Sequence, residues 1–275
     1  MAAAAADTRE FPFSAQHFRL ISERVYRFSG IRLPEGKREM VYARLARRLR
    51  SLGIASFDDY VQFLELEPAE WEHCTNALTT NVTAFYREEH HFRILADHAR
   101  QTSAPGVPFR VWSAGCSTGE EPYTIAMCLA EALRGDSFSV IASDLDTQVL
   151  ASAREAVYPL QSVEKLEPAR QKRFFLRGAG RFEGKARVRR ELAARVEFMR
   201  VNLMDAEWPV EGGLDAIFCR NVMIYFDKPT QRRLVERYAA LLKPHGLFFA
   251  GHAESLIDQG RNFRLRGQTV YELAK

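Results

Sequence analysis

Phe109-Arg110-Val111-Trp112-Ser113-Ala114-Gly115-Cys116-Ser117-Thr118-Gly119-Glu120-Glu121-Pro122 is the stretch on which the reading of this 275-residue chain turns. Its first six residues read as a buried strand, and a helix is predicted from Glu120 to Leu133. Gly115 and Gly119 lie between them and permit a tight turn with close backbone approach. In doubly wound folds such a turn is where a ligand lies against the sheet edge.

The acids that follow the turn narrow the ligand. Dinucleotide sites use the helix N-terminus for pyrophosphate, but here Glu120 and Glu121 occupy the first turn and would repel it. They favour a cationic amino group, and S-adenosylmethionine carries one and no phosphate. Asp144, about 25 residues beyond Gly119, stands where an acid commonly takes ribose hydroxyls, while Asp146 suits capping of the next helix.

Outward from the turn, strands are predicted at 138–142, 196–201, 216–219 and 247–250, and helices at 88–100, 147–157 and 230–242. Alternation of this kind implies a mostly parallel sheet covered on both faces. Two apolar runs flank Arg266-Gly267-Gln268 and read as a closing hairpin. An antiparallel pair finishing a parallel sheet suits a class I, Rossmann-like α/β methyltransferase. Residues 172–195, with three glycines and short alternating stretches, read as a small β-subdomain insertion.

The chain before residue 85 reads differently. After a loose tail over 1–12, Phe18, Ile21, Val25 and Phe28 recur at helical spacing from a Ser14 cap, with Gly30 to close. Met40, Val41, Leu45, Leu49 and Leu52 give a second helix ending at Gly53, whose other face holds Lys37, Arg38, Arg44, Arg47, Arg48 and Arg50. Two more helices follow, one capped by Ser56 and one from Ala69 to Leu78. The expected division is an all-α domain over 13–85 and an α/β domain over 86–275.

Bulk properties exclude other classes. The net charge of +4, with 47% hydrophobic and 27% charged residues, suits a globular protein. No aromatic-interleaved basic motif points to nucleic acid. No apolar run reaches the ~20 residues that span a bilayer. The four cysteines form no C-x-x-C pair, and no signal peptide precedes them, which fits a cytoplasmic protein with reduced thiols and no metal.

One rival motif is present. Gly115-Cys116-Ser117-Thr118-Gly119 also matches G-x-S-x-G, the nucleophile elbow of α/β hydrolases, with His245 or His252 as base. Its place on the first strand of the α/β domain and the lack of an upstream HGGG loop count against it. A second rival is a catalytically inactive scaffold that keeps the fold and binds no cofactor.

Four runs decide between these. N-A-L-T-T-N-V-T-A-F-Y-R-E (76–88), V-W-S-A-G-C-S-T-G-E-E-P-Y (111–123) and F-C-R-N-V-M-I-Y-F-D (218–227), with L-K-P-H-G-L-F-F-A-G (242–251), resemble the CheR family of chemoreceptor glutamate methyltransferases. The resemblance implies transfer of a methyl group from S-adenosylmethionine to the γ-carboxylate of glutamates on cytoplasmic receptor helices, leaving S-adenosylhomocysteine. It implies cofactor contacts from Asn81, Thr83, Arg87, Glu121, Asp144, Asn202, Leu203, Arg220 and Asn221, and places Arg87 and Tyr225 closest to the chemistry. Some members tether a receptor C-terminal pentapeptide on the β-subdomain, and the loop Arg177-Gly178-Ala179-Gly180 resembles theirs. The basic helix is the expected docking face for acidic receptor helices.

The chemistry is consistent with this set. A glutamate with a pKa of about 4.3 is already an anion at neutral pH, so no general base is needed. An arginine fork matches a carboxylate, which suits Arg87, although pairing with Glu88 or Glu89 is the alternative. Likewise Tyr225 can face the acceptor or pack beside Phe226, and Asn202 can hold adenine or cap a turn.

Overall fold

The structure, a computed structural model, describes residues 9–133, 138–254 and 262–274. The chain divides into two compact units, Met1–Thr80 and Asn81–Lys275, five residues before the expected boundary at 85/86.

The first unit holds α1 (Ala15–Ser29), α2 (Arg38–Leu52), α3 (Phe57–Leu66) and α4 (Glu70–Leu78). Ser14 caps α1 and Ser56 caps α3, each accepting from a backbone N–H, and Gly30 and Gly53 close α1 and α2 in the left-handed region. Phe13, Ile21, Val25, Val41, Leu45, Leu49, Phe57 and Tyr60 form its core. Residues 1–8 of the expected loose tail lie outside the described residues. The remainder of that tail is packed, since Phe11 is buried and Arg9 bonds Glu39.

The basic face of α2 is not the open surface that the sequence suggests. Arg38 donates to the Phe13 carbonyl, and Arg44 to the carbonyls of Ala77 and Thr79. Arg50 pairs with Glu10. Arg48 grips the buried Glu70 through Nε at 2.8 Å and Nη2 at 2.6 Å, and Tyr60 donates to the same carboxylate at 2.9 Å. Four of the six cations are therefore engaged within this unit, Arg38 and Arg50 with the segment ahead of α1 and Arg44 and Arg48 with α4 and its end, while Lys37 and Arg47 stay exposed.

The second unit is built on a seven-stranded sheet. Its elements are α5 (His90–Thr102), β1 (Phe109–Ala114), α6 (Glu120–Ala132), β2 (Phe138–Asp144), α7 (Thr147–Glu155), β6 (Val196–Arg200), β7 (Leu214–Cys219), α11 (Lys228–Leu241), β8 (Leu242–Ala250), β9 (Phe263–Gly267) and β10 (Val270–Leu273). Strand order is β6-β2-β1-β7-β8-β10-β9. The first five run parallel and β10 is antiparallel to both neighbours. Alternate residues of β1 face opposite layers. Val111 enters the core that holds Phe92 of α5 and Met127 of α6, and Trp112 meets Tyr238 of α11 at 5.4 Å between rings.

Between α7 and β6 lies a second sheet. It comprises β3 (Val157–Pro159), β4 (Phe175–Arg177) and β5 (Lys185–Val188) in the order β3-β5-β4, all antiparallel, with short helices α8 (Leu160–Val163), α9 (Pro168–Phe174) and α10 (Arg190–Ala193) around it. This corrects two expectations. The helix expected to reach Val157 ends at Glu155, because Ala156 turns into the left-handed region at φ 56°. The inserted sheet accordingly draws its first strand from before residue 172.

His91 shows how α5 is tied to the closing hairpin. Its Nε2 lies 3.0 Å from the Gln268 carbonyl, so the proton sits there, and its ring packs on Phe249.

Two measurements follow. Arg48→Ala strands the Glu70 charge, 4% exposed, and should cost about 2–3 kcal/mol in thermal unfolding of the first unit; Arg47→Ala, at an exposed neighbour, should cost less than about 0.5 kcal/mol. The second concerns acid. Burial pushes His91 down to about 4, so the unfolded chain takes up this proton as pH falls through about 6.5 while the folded chain does not. Stability is complete above that pH and declines between about 6.5 and 4. From pH 7 to pH 5, urea unfolding should show the parent losing about 2 kcal/mol more than His91→Gln.

Candidate functional site

Parallel strands present their carboxyl ends along one edge of the sheet, and the expected site residues gather there. The turn 115–119 follows β1, Asp144 ends β2, Asn202 and Leu203 follow β6, and Arg220 and Asn221 follow β7.

The turn is fixed by backbone and by one carboxylate. The N–H groups of Gly115 and Cys116 both donate to the Ser143 carbonyl, at 2.8 and 2.9 Å. Asp144 accepts from the Ser117 N–H at 2.8 Å on one oxygen and from the Asp146 N–H at 3.0 Å on the other. Each oxygen keeps a second lone pair, which suits a ribose diol. Gly119, at φ 97°, has no room for a side chain, since an added Cβ would lie 2.7 Å from the Tyr158 hydroxyl. That hydroxyl donates to the Thr118 carbonyl at 2.9 Å, so the inserted sheet buttresses the turn from outside. Asp146 caps α7, as expected.

Glu120 and Glu121 are both engaged within the protein. Glu120 accepts from the Thr118 hydroxyl at 2.6 Å. Glu121 accepts from Ser113 Oγ at 2.8 Å and from Arg220 Nη1 at 3.1 Å. Burial pushes both carboxyls up, and for Glu121 the Arg220 guanidinium works against that rise. Arg220 itself is buried and stands 3.3 Å from a second carboxylate, Glu88. One cation between two acids leaves this triad with a formal charge of −1, which suits a cationic ligand.

The segment 81–88 lies against the turn. The Asn81 side chain donates to Asp146 at 2.9 Å, and the Asn81 carbonyl accepts from Ser117 Oγ at 2.9 Å. The Tyr86 N–H reaches Thr124 Oγ1, and Arg220 donates to the Arg87 carbonyl. Arg87 is exposed and donates to the Val82 carbonyl at 2.9 Å. Both acids named as its alternative partners are occupied: Glu88 with Arg220, Glu89 with Arg93. Burial alone would raise the Glu88 carboxyl, but Arg220, the His252 N–H and His91 together hold it below the usual range. Thr83 is half-buried in the same segment. Phe85 packs on Tyr158 and Phe175, and the Tyr86 ring on Phe92, so both are core aromatics.

On the other side, Asn221 and Tyr225 bound a short turn with a 3-10 segment at Met223–Tyr225. Tyr225 is half-buried, whereas Phe226 takes the core position. Asn202 accepts from the Met204 N–H at 3.0 Å, the turn-capping alternative, and the Leu203 carbonyl accepts from Arg237.

Sequence reasoning missed several of these parts. Ser113, Tyr158 and Glu254 were not singled out, and Glu88 was considered only as a surface partner of Arg87. Glu254 is buried just past β8 and accepts from the backbone N–H groups of Gly251, Asn221 and Ile224. An acid three residues beyond a strand-ending glycine was the available signal.

The hydrolase alternative fails on position. Ser117 takes an elbow-like φ of 49°, but its hydroxyl donates to Asn81. His245 pairs with Glu272 at 2.9 Å near the amino end of β8, roughly 20 Å of strand length away from the carboxyl edge. His252 is exposed, and its N–H serves Glu88. Among the described residues, one group has donor atoms close enough to share a cation: Glu88, His90 and His91, within 4.8 Å. The Arg220 guanidinium already stands on the Glu88 oxygen of that group, which opposes a second positive charge there.

Comparison with known proteins agrees with this geometry. Residues 81–272 match the model of the CheR methyltransferase SAM binding domain, and residues 16–79 that of the CheR methyltransferase all-alpha domain. The chain is 56% identical to a chemotaxis protein methyltransferase of Klebsiella aerogenes, over 97% of this chain and 92% of that one. It is 53% identical to chemotaxis protein methyltransferase 2 of Pseudomonas aeruginosa (97% and 96% covered) and 51% identical to the chemotaxis protein methyltransferase of Escherichia coli (98% and 94%). With both units matched in order, the chain belongs to the CheR methyltransferase family, an all-α domain followed by a class I, Rossmann-like S-adenosylmethionine-binding domain.

Proposed function

We propose that this protein methylates the γ-carboxylate of glutamates on the cytoplasmic helices of chemoreceptors, working in the cytoplasm as part of chemotactic adaptation. The observation that carries the reading is Arg87: an exposed guanidinium on the segment whose Asn81 meets the Gly115–Gly119 turn, with neither adjacent acid claiming it. The names of the relatives, chemotaxis protein methyltransferases, support the same process.

Bound S-adenosylmethionine supplies a sulfonium-activated methyl group, which a carboxylate oxygen takes as the C–S bond breaks and its electron pair stays on sulfur, leaving S-adenosylhomocysteine. Asp144 would hold the ribose through the lone pairs that the Ser117 and Asp146 N–H groups leave open. Asn81 and Thr83 belong to the segment over the turn, and Asn202 and Leu203 would hold the adenine, Asn202 by shaping its turn. The Glu88–Arg220–Glu121 triad provides the negative field for the amino group and sulfonium, with Asn221 beside it. Arg87 orients the acceptor carboxylate and Tyr225 faces it. Acceptor and donor lose their opposite charges together, so the arginine serves by orientation, and in-line placement alone supplies ~7–11 kcal/mol in favourable cases.

Two surfaces serve the receptor. Lys37, just ahead of α2, and Arg47 on it are exposed cations available to acidic receptor helices. β4 is an edge strand of the inserted sheet, and the Arg177–Gly180 loop leaves it, which supports addition of a receptor C-terminal pentapeptide as a further strand.

The direct test is transfer of radiolabelled methyl groups to receptor cytoplasmic fragments, with the label released by base as from a carboxyl ester; label that resists base would overturn the glutamate assignment. Asp144→Asn should weaken S-adenosylhomocysteine binding by about tenfold or more in calorimetry. Arg87→Ala should lower kcat/KM for the fragment roughly a hundredfold, and Arg87→Lys should not restore it, because the fork is lost.

A further inference from the structure

We infer that Glu254 is a positioning residue for methyl transfer, a buried carboxylate that fixes the Asn221–Tyr225 turn from behind. The inference rests on the reading of Tyr225 as an acceptor-side residue.

Its hydrogen bonds are unusual in their targets. Glu254 is 5% exposed. One oxygen accepts from the Gly251 N–H at 2.6 Å and the Asn221 N–H at 2.9 Å, and the other from the Ile224 N–H at 3.1 Å. All three donors belong to loops at the carboxyl ends of β7 and β8. Two of them bracket the turn, and Ile224 directly precedes Tyr225. Asn221, at φ 60°, is held in a backbone conformation that few side chains adopt freely. Burial pushes the Glu254 carboxyl up, and the backbone N–H groups of Gly251, Asn221, Ile224 and Met223 counter that rise.

The loop that carries Glu254 also braces the opposite side of the site. The His252 N–H donates to Glu88 at 3.3 Å, and Glu88 follows Arg87 in the chain. Residues 251–254 thus hold Tyr225 through one carboxylate and the Arg87 segment through another. Gly251 admits this approach because it lacks a side chain: an added Cβ would lie 2.7 Å from the Asn221 backbone nitrogen and 2.8 Å from Glu254 Oε2.

A carboxylate is required here by count. Three donors need acceptor atoms on both oxygens. An amide in the same place sets its NH2 against either the Gly251 and Asn221 donors or the Ile224 donor, whichever way it is turned. Glu254→Gln therefore keeps the volume and removes the function.

The test uses the full chain with Glu254→Gln and, as an independent push on the same turn, Gly251→Ala. Hydrogen exchange should show the amides of Gly251, Asn221 and Ile224 losing protection in Glu254→Gln while those of β1 and β2 keep theirs. Both variants should lower kcat for methyl transfer to a receptor fragment by tenfold or more and weaken S-adenosylhomocysteine binding by clearly less than that, because Asn221 is held by Glu254 while Asp144 and the Gly115–Gly119 turn lie on other strands. Unaltered exchange at these amides would overturn the inference, as would unchanged kcat, or equal losses of kcat and cofactor affinity. If the parent itself fails to methylate the fragment, the functional reading falls instead, and the exchange result still decides what Glu254 holds.

Discussion

A guanidinium buried at the carboxyl end of β7 carries much of the organisation of the second unit. Arg220 reaches Glu121 at the start of α6, Glu88 ahead of α5 and the carbonyl of Arg87. Phe92 covers its face at 5.6 Å. Removing one member of such a group leaves uncompensated charge in a dry place, at a cost of about 3–5 kcal/mol. The arrangement is therefore strict: the segment 81–88 cannot move without exposing the charges that hold it. Arg87 owes its place to this constraint, since among the described residues its own side chain bonds the local Val82 carbonyl alone. The sequence resemblance implies that Arg220 contacts the cofactor; the geometry also makes it the residue that sets where Arg87 stands.

What could be read in the sequence was what repeats locally. The strand Phe109–Ala114 and the helix starting at Glu120 were legible because an apolar run, two glycines and two acids lie side by side. The capped helices of the first unit were legible for the same reason. The inserted sheet was only half legible, because strands of three and four residues are too short to show alternation, and Ala156 breaks a helix with no glycine or proline to mark it. Partners far apart in sequence were not legible at all. Arg220 finds Arg87 across 133 residues and Glu121 across 99, and Glu254 finds Asn221 across 33. The arginines of α2 make the same point: a charge pattern shows that cations line one face, but not that Glu70, Glu10 and the carbonyls ending α4 consume most of them.

The motif Gly-Cys-Ser-Thr-Gly illustrates how one backbone serves two chemistries. A hydrolase elbow strains a serine so that its hydroxyl stands open to a histidine. Here Ser117 is in the left-handed region as well, but its N–H is spent on Asp144 and its hydroxyl on Asn81. The strain serves to turn the backbone amide toward the acid at the end of β2, and the serine becomes a strut between the turn and the segment above it. The residue type is the same; what differs is which atom the fold leaves unspent.

The remaining acids follow one rule. Glu120, Glu121, Asp144 and Glu254 are all pushed up by burial, and each is met by hydroxyl, guanidinium or backbone N–H donors. A site that moves protons needs a group free to gain and lose one near the operating pH. These carboxylates instead accept from fixed donors, and Glu121, Asp144 and Glu254 thereby hold a turn or loop in place. That is the form expected when the acceptor arrives already ionised and the departing group needs no proton. The demand on the protein is then geometric, and buried carboxylates bonded to backbone amides meet it, because they hold loops through the main chain and, on the proposed function, leave the side chains of Arg87 and Tyr225 for the acceptor.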